Sequence, residues 1–234
     1  MSNILLEYMR NRFSAETAAP KKSGLHAGPV LTISREYGCP AKRLAGMLTS
    51  ALNRMEIERF SKHRWKWIGK EILEESAKEL NLRADMVRNI ITDQEPGLLD
   101  DIVLSLSHKY YPGDVKIKRT FGSVIRTFAE EGHVVIVGRG GVSITRDIPR
   151  SLHIRLQAPM DWRIERICLN YKVSPAEAKK TLREIDDKRQ YIRDFFEGKK
   201  ADDTIFDIVL NYKTIPEEDQ VALILKAMEQ KGLI

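Results

Sequence analysis

The sequence predicts an α/β fold: a parallel β-sheet with helices on both faces. Three observations carry this. Short β-rich runs alternate with longer helical stretches along most of the chain, the order that crossover-connected parallel strands require. The run His133-Val134-Val135-Ile136-Val137 is almost wholly Val and Ile, which suits a strand covered on both faces. Two strands also run directly into glycine-bearing turns, Tyr37-Gly38-Cys39-Pro40 and Gly138-Arg139-Gly140-Gly141.

The elements follow in order. Residues 2–13 carry Ile4, Leu5 and Met9 at helical spacing, and a small, polar, Pro/Gly-containing stretch follows. Residues 1–28 thus read as a helix and linker. They are either an arm packed on the domain, or on a second subunit in a homodimer, or a loosely attached tail. Residues 29–234 read as one domain. Val30–Ser34 is its first strand, and Ala41–Met55 a helix with Leu44, Ala45, Leu48 and Leu52 on one stripe. Trp65–Ile68 is a short β-prone piece leading into a helix over Lys70–Leu80. Residues 84–109 are helical in pieces, interrupted by Pro96-Gly97. Val115–Glu131 is a helix closed by Gly132, where a left-handed residue commonly ends one. After the strand at 133–137 come a strand over Ser151–Leu156, a charged helix from Asp161, and a long charged helix over 175–196. Phe206–Asn211 is the last strand. Pro216 opens the final helix, with Glu217, Glu218 and Asp219 in the turn where the helix dipole favours acids.

Composition narrows the function. The chain has 234 residues, 42% hydrophobic and 31% charged, enough for one sizeable core. No apolar run approaches the roughly 20 residues that span a bilayer, and no signal-peptide core is visible near the start, so a cytoplasmic protein is expected. Cys39 and Cys168 have no metal-ligand spacing and read as free thiols. The histidines show no metal spacing either. A net charge of +6 suits anionic partners. The basic residues are scattered among acids, without a basic tail or an aromatic platform. That argues against nucleic acid and for a nucleotide or small phosphorylated substrate.

Three features could carry chemistry. The loop from Ser34 to Arg43 follows the first strand, and open α/β sheets bind ligands beyond the C-terminal ends of their strands. A helix start there offers amides and a positive dipole end to phosphate. The loop holds Gly38 and Lys42 but does not match G-x-x-x-x-G-K-[ST]. It is either a phosphate-binding turn or a structural turn with a solvated Lys42-Arg43 pair. In the second feature, glycines around Arg139 let a backbone approach a ligand while the guanidinium forks onto an anion. The bland alternative is a tight turn with an exposed arginine. The third feature is the pair of charged helices. Arg163 and Arg166 share a helical face, and Arg183, Asp186, Asp187, Lys188, Arg189 and Arg193 follow. They form either a solvated, ion-paired surface or a lid that closes arginines over transferring phosphates.

Taken together, VLTISREYG, VVIVGRGG, HIRLQAPMDWRIERI, DDKRQYIRDFF and FDIVLN, in this order over about residues 29–232, resemble the cytidylate kinase-like family. The resemblance implies a P-loop NTPase-like three-layer sandwich with a region that binds a nucleoside monophosphate and a helical lid at about 160–200. It implies an ATP-dependent phosphotransferase, with ATP and Mg2+ as donor and cofactor. Gly38, Cys39, Lys42 and Arg43 fall where such kinases hold the donor's phosphates. Gly138, Arg139 and Gly140 fall at their Gly-Arg-Asp motif, which holds the acceptor phosphate. Lys42, Arg163, Arg166 and Arg189 take the catalytic positions, with Arg193 the other candidate for the lid arginine. The resemblance identifies no metal ligand. The sequence departs from the pattern at four places: Ala41 stands at the P-loop lysine, Arg43 at the Mg2+-binding Ser/Thr, and Gly140 at the aspartate. Pro40 removes one N–H from the cradle. A catalytically degenerate nucleotide- or anion-binding module is the alternative reading.

Overall fold

The structure, a computed structural model, describes residues 27–69 and 113–234. The expected helices at 2–13, 70–80 and 84–109 lie outside the described residues. Strands β1 (Val30–Arg35), β2 (Lys66–Ile68), β3 (Val134–Val137), β4 (Ser151–Gln157) and β5 (Ile208–Asn211) form one sheet in the order β2-β3-β1-β4-β5. Every pairing is parallel. The helices are α1 (Ala41–Glu58), α2 (Gly113–Glu131), α3 (Gly141–Thr145), α4 (Met160–Tyr171), α5 (Pro175–Glu197) and α6 (Glu217–Gln230). This is the P-loop-type three-layer architecture expected from the sequence.

The period-two alternation of the strands decides which helix covers which face. Leu31, Ile33, Val135, Val137, Leu152, Ile154 and Leu156 point to one face, where α1 and α6 supply Leu44, Leu48, Leu52, Ile224 and Met228. Leu44 and Leu48 are fully buried there, so truncating either to Ala would cost about 2–5 kcal/mol. The intervening strand residues, such as Val30, Thr32, Val134 and Ile136, are buried on the opposite face. A separate cluster joins α4 and α5 through Ile167, Ala178, Leu182 and Ile185, with Tyr37 of the loop after β1 inserted among them. The ring of Tyr37 therefore ties that loop to the two charged helices. Helix α5 starts at a full capping box, Ser174 with Glu177, and Pro175 fits its first turn.

Several boundaries shift by one to three residues from the sequence expectation, and three differences have a local reason. His133 precedes β3 instead of opening it. It follows Gly132 in the left-handed region (φ +53° after +80°), and its ring stacks on His63 at 4.1 Å. Phe206 and Asp207 precede β5, because a 3-10 turn over Asp203–Ile205 comes first and the Asp207 carboxylate accepts from the His153 N–H at 2.7 Å. The third difference is α3, which the sequence reading took as part of the glycine turn. Gly141 lets it lie directly on β3, where a Cβ would stand 2.9 Å from Ile136 Cγ2.

The strand order puts β1 at the centre, so the loops after β1 and β3 meet. Ile33 is in register with Val137, and the Gly138 N–H donates to the Ile33 carbonyl at 3.0 Å. On the other side, Ser34 is in register with Arg155 and Arg35 with Leu156. Arg35 therefore ends its strand beside Gly138, with α4 and α5 close by.

Candidate functional site

The loop after β1 is built by turns that its own sequence requires. Gly38 has φ +95°, a conformation side-chain-bearing residues rarely adopt, and a Cβ there would lie 3.3 Å from Arg163 Cβ. The Cys39 N–H donates to the Glu36 carbonyl at 3.2 Å and the Ala41 N–H to the Cys39 carbonyl at 2.9 Å. Pro40 contributes no N–H. The Tyr37 N–H donates to Asp186 Oδ1 at 2.7 Å. Several amides that a phosphate cradle would present are thus spent inside the protein. Burial, reinforced by the negative charge of Glu36, pushes the Cys39 thiol up to about 12, so this cysteine packs and does not act as a nucleophile.

Side chains supply the positive charge that the loop backbone withholds. A cavity of about 240 Å³ opens over the loop, and its lining includes Gly38, Cys39, Lys42, Arg43, Arg166 and Arg189. The structure thus brings together the residues expected to bind the donor's phosphates and those expected to be catalytic, Arg163 excepted. Arg43 is exposed and its Nε pairs with Glu217 Oε2 at 2.6 Å. The Arg166 guanidinium lies over the Trp162 ring at 5.5 Å, and that of Arg189 over the Tyr37 ring at 5.6 Å. Arg189 Nη1 also donates to the Arg35 carbonyl at 3.1 Å.

Arg163 is placed differently. It is 4% exposed and does not line the cavity. Its Nε donates to the Ala158 carbonyl at 3.0 Å, and its Nη1 to Asp186 Oδ2 at 2.6 Å and to the Tyr37 carbonyl at 3.3 Å. The guanidinium is committed to bracing the loop against α4 and α5.

The residues expected at the acceptor phosphate also gather. Gly138, Arg139 and Gly140 line a small cleft with Arg35, Arg189 and Arg193. Arg139 itself has φ +60°, and Gly138 lies so close to Arg35 that a Cβ would collide with its guanidinium. Beyond this cleft is a cavity of about 210 Å³ whose lining includes Arg35, Arg155, Asp186, Asp187, Arg189 and Arg193. Arg35 and Arg189 border all three spaces. Both candidates for the lid arginine reach these spaces, but of the two Arg189 alone borders the 240 Å³ cavity. Arg193 is buried, which holds its guanidinium below the usual arginine range.

Sequence reasoning left Arg35 without a role, although an arginine at the C-terminal end of a central strand is the same signal that singled out Arg139. Asn170 and Tyr171, at the end of α4, line the 240 Å³ cavity and carry no sequence signal.

Five cationic side chains around one cavity (Arg35, Lys42, Arg43, Arg166 and Arg189) fit a polyphosphate. The fit to Mg2+ is poorer. Among the described residues no group of three or more His, Cys, Asp or Glu side chains could hold a metal ion, and Arg43 occupies the expected Ser/Thr position. Among the described residues, too, no helix is long and apolar enough to cross a membrane.

This architecture recurs in a solved structure of another protein. An uncharacterized protein from Eubacterium ventriosum superposes with a TM-score of 0.61 at 20% identity, covering 86% of this chain and 98% of that one. Shikimate kinase from Bacteroides thetaiotaomicron gives 0.49 at 12% identity, covering 86% and 98%. A gluconokinase from Sinorhizobium meliloti gives 0.46 at 11% identity, covering 88% and 93%. No curated protein sequence matches the chain. The cytidylate kinase-like family matches residues 30–214, most of the chain, and it includes both glycine turns and both charged helices. This protein belongs to the cytidylate kinase-like family.

Proposed function

We propose that the protein is an ATP-dependent phosphotransferase acting on a nucleoside monophosphate or similar small phosphorylated acceptor. The observation that carries this reading is the cluster of Lys42, Arg43, Arg166 and Arg189 over the loop after β1, next to the cleft at Gly138, Arg139 and Gly140. Phosphoryl transfer asks mainly for positioning and for neutralisation of charge. In this reading Lys42, Arg43 and Arg166 hold the donor's phosphates by side chain. Arg139 holds the acceptor phosphate. Arg189, bordering both spaces, faces the group in transit. Helices α4 and α5, about residues 160–200, form the lid. Arg163 is a positioning residue that fixes the loop to it. Mg2+ would be carried in on the donor's own phosphate oxygens, and it would neutralise charge on them. Two free thiols fit a reducing cytoplasm.

The test is a coupled assay with ATP and a panel of nucleoside monophosphates and small phosphorylated acceptors. Phosphate transfer to one of them is expected. A folded protein that transfers phosphate to none would refute the reading.

One observation favours a second reading, an anion- or nucleotide-binding module without transfer chemistry. The Tyr37, Cys39 and Ala41 amides are all engaged within the protein. Saturable ATP binding by calorimetry, with neither hydrolysis nor transfer, would select it.

A further inference from the structure

Asp186 reaches from α5 into the loop after β1. Its Oδ1 accepts from the Tyr37 N–H at 2.7 Å and its Oδ2 from Arg163 Nη1 at 2.6 Å, while Arg189 Nη1 stands 3.9 Å from Oδ1. A main-chain amide in a turn at the end of the central strand, with two guanidinium groups beside it, is a donor set suited to an oxyanion. Three different elements supply it: the loop, α4 and α5. The Arg163 side chain is 5% exposed, so water cannot replace its partner. Asp186 is 27% exposed and borders the 210 Å³ cavity beside Arg35 and Arg193. The donors are buried, and the carboxylate that fills them lies next to open space.

We propose that this is an oxyanion site plugged by the protein's own carboxylate. Asp186 stands where two oxygens of a phosphoryl group would bind. A phosphate arriving from the 210 Å³ cavity takes over the Tyr37 N–H and the Arg163 guanidinium, and Asp186 turns outward into that cavity. The exchange is one of hydrogen bonds and ion pairs, with no covalent step. The ligand is a tetrahedral oxyanion, either the terminal phosphoryl of a bound donor or the phosphate of an acceptor. The inference rests on reading this end of the sheet as a phosphate site, and it adds that the site is self-inhibited at rest. A purely structural ion pair predicts the opposite sign. Losing it would loosen the loop and weaken anion binding, whereas unplugging a site strengthens binding.

The test titrates the full-length chain with inorganic phosphate by calorimetry, in the absence of nucleotide. Asp186→Asn keeps an acceptor for the Tyr37 amide and nearly the same volume, so the fold persists. Removing a negative charge within contact distance of the arriving anion tightens phosphate binding by at least about tenfold. In Asp186→Ala, Arg163 loses its nearer carboxylate and keeps only Glu36, whose Oε2 stands 3.4 Å from Nε, and phosphate raises the thermal midpoint more than in the unmodified protein. Adding Arg163→Met to either variant abolishes the gain. Phosphate binding that is unchanged or weaker in Asp186→Asn overturns the proposal, as does a gain that survives Arg163→Met. Titrations of Asp186→Asn with ATP and ADP identify the source. A gain for ATP alone assigns the site to the donor's terminal phosphoryl. A gain for inorganic phosphate with both nucleotides unaltered assigns it to the acceptor. Neither readout needs turnover. Absence of phosphotransfer refutes the proposed reaction and leaves this site standing, and a flat phosphate titration in an active kinase refutes this site alone.

Discussion

Replacing Arg163 by methionine separates bracing from catalysis. The arginine is 4% exposed and makes three hydrogen bonds to oxygen, to Ala158 O, Tyr37 O and Asp186 Oδ2, and one to Met160 Sδ. Its stem packs against Gly38, where a Cβ would stand 3.3 Å from Arg163 Cβ. Methionine keeps that stem and removes the guanidinium. Breaking a buried ion pair by deleting one partner costs about 3–5 kcal/mol. Asp186 keeps the Tyr37 N–H and is 27% exposed, so solvent recovers part of its loss. The expected destabilisation is therefore at the low end, about 3 kcal/mol. That is a large share of the roughly 5–15 kcal/mol typical of a folded domain. Urea denaturation at neutral pH measures it directly. Arg166→Ala is the control, because it gives up only a half-buried stack on Trp162 and should cost about 1 kcal/mol or less. A loss below about 1 kcal/mol in Arg163→Met would refute the bracing role.

Other outcomes follow from the same geometry. Arg139→Ala should raise the acceptor KM about ten- to a hundredfold, the worth of a hydrogen bond to a charged group, and leave ATP affinity nearly unaltered; an unchanged acceptor KM argues against its assignment. Iodoacetamide on the native protein at mildly alkaline pH should modify Cys168 and spare Cys39, whose thiol burial holds up at about 12; mass spectrometry showing Cys39 alkylated first would contradict this. His153 is buried between Thr32 and Ser151, and burial lowers its pKa from 6.5 to about 4. The folded state resists protonation that the unfolded chain accepts, so stability is full above about pH 6.5 and falls towards pH 4, by up to about 3 kcal/mol. Urea midpoints from about pH 7 to about pH 5 should fall less in His153→Gln than in the unmodified protein; parallel falls would refute this contribution.

The sheet was legible in the sequence because its strands carry their own signal. Val134–Val137 is buried on both faces and reads as such from four residues. Gly132 marks the end of α2 because it needs a positive φ. Helix α3 is hidden in the sequence because its first residue, Gly141, is also the last glycine of the turn, and the close approach of Gly141 to Ile136 explains why the chain coils at once. The site was legible in its members more than in their roles. Lys42, Arg43, Arg166 and Arg189 do line one cavity, and Arg139 lines the neighbouring cleft. Arg163 looked like their equal, since it sits three residues before Arg166 on a charged helix. Its burial depends on Asp186, 23 residues later, and on Tyr37 in a loop 126 residues earlier. No local pattern records pairings of that range. The same holds for Asp186, which reads from sequence as one acid on a solvated helix and in space occupies the Tyr37 amide.

The most direct test of the side-chain clamp is a calorimetric titration of the full-length chain with ATP and Mg2+, repeated for Arg189→Ala. The account predicts saturable one-site binding that weakens about tenfold or more when Arg189, which with Arg35 borders all three spaces, is removed. Absence of ATP binding by the folded protein, or an affinity indifferent to Arg189, would contradict it.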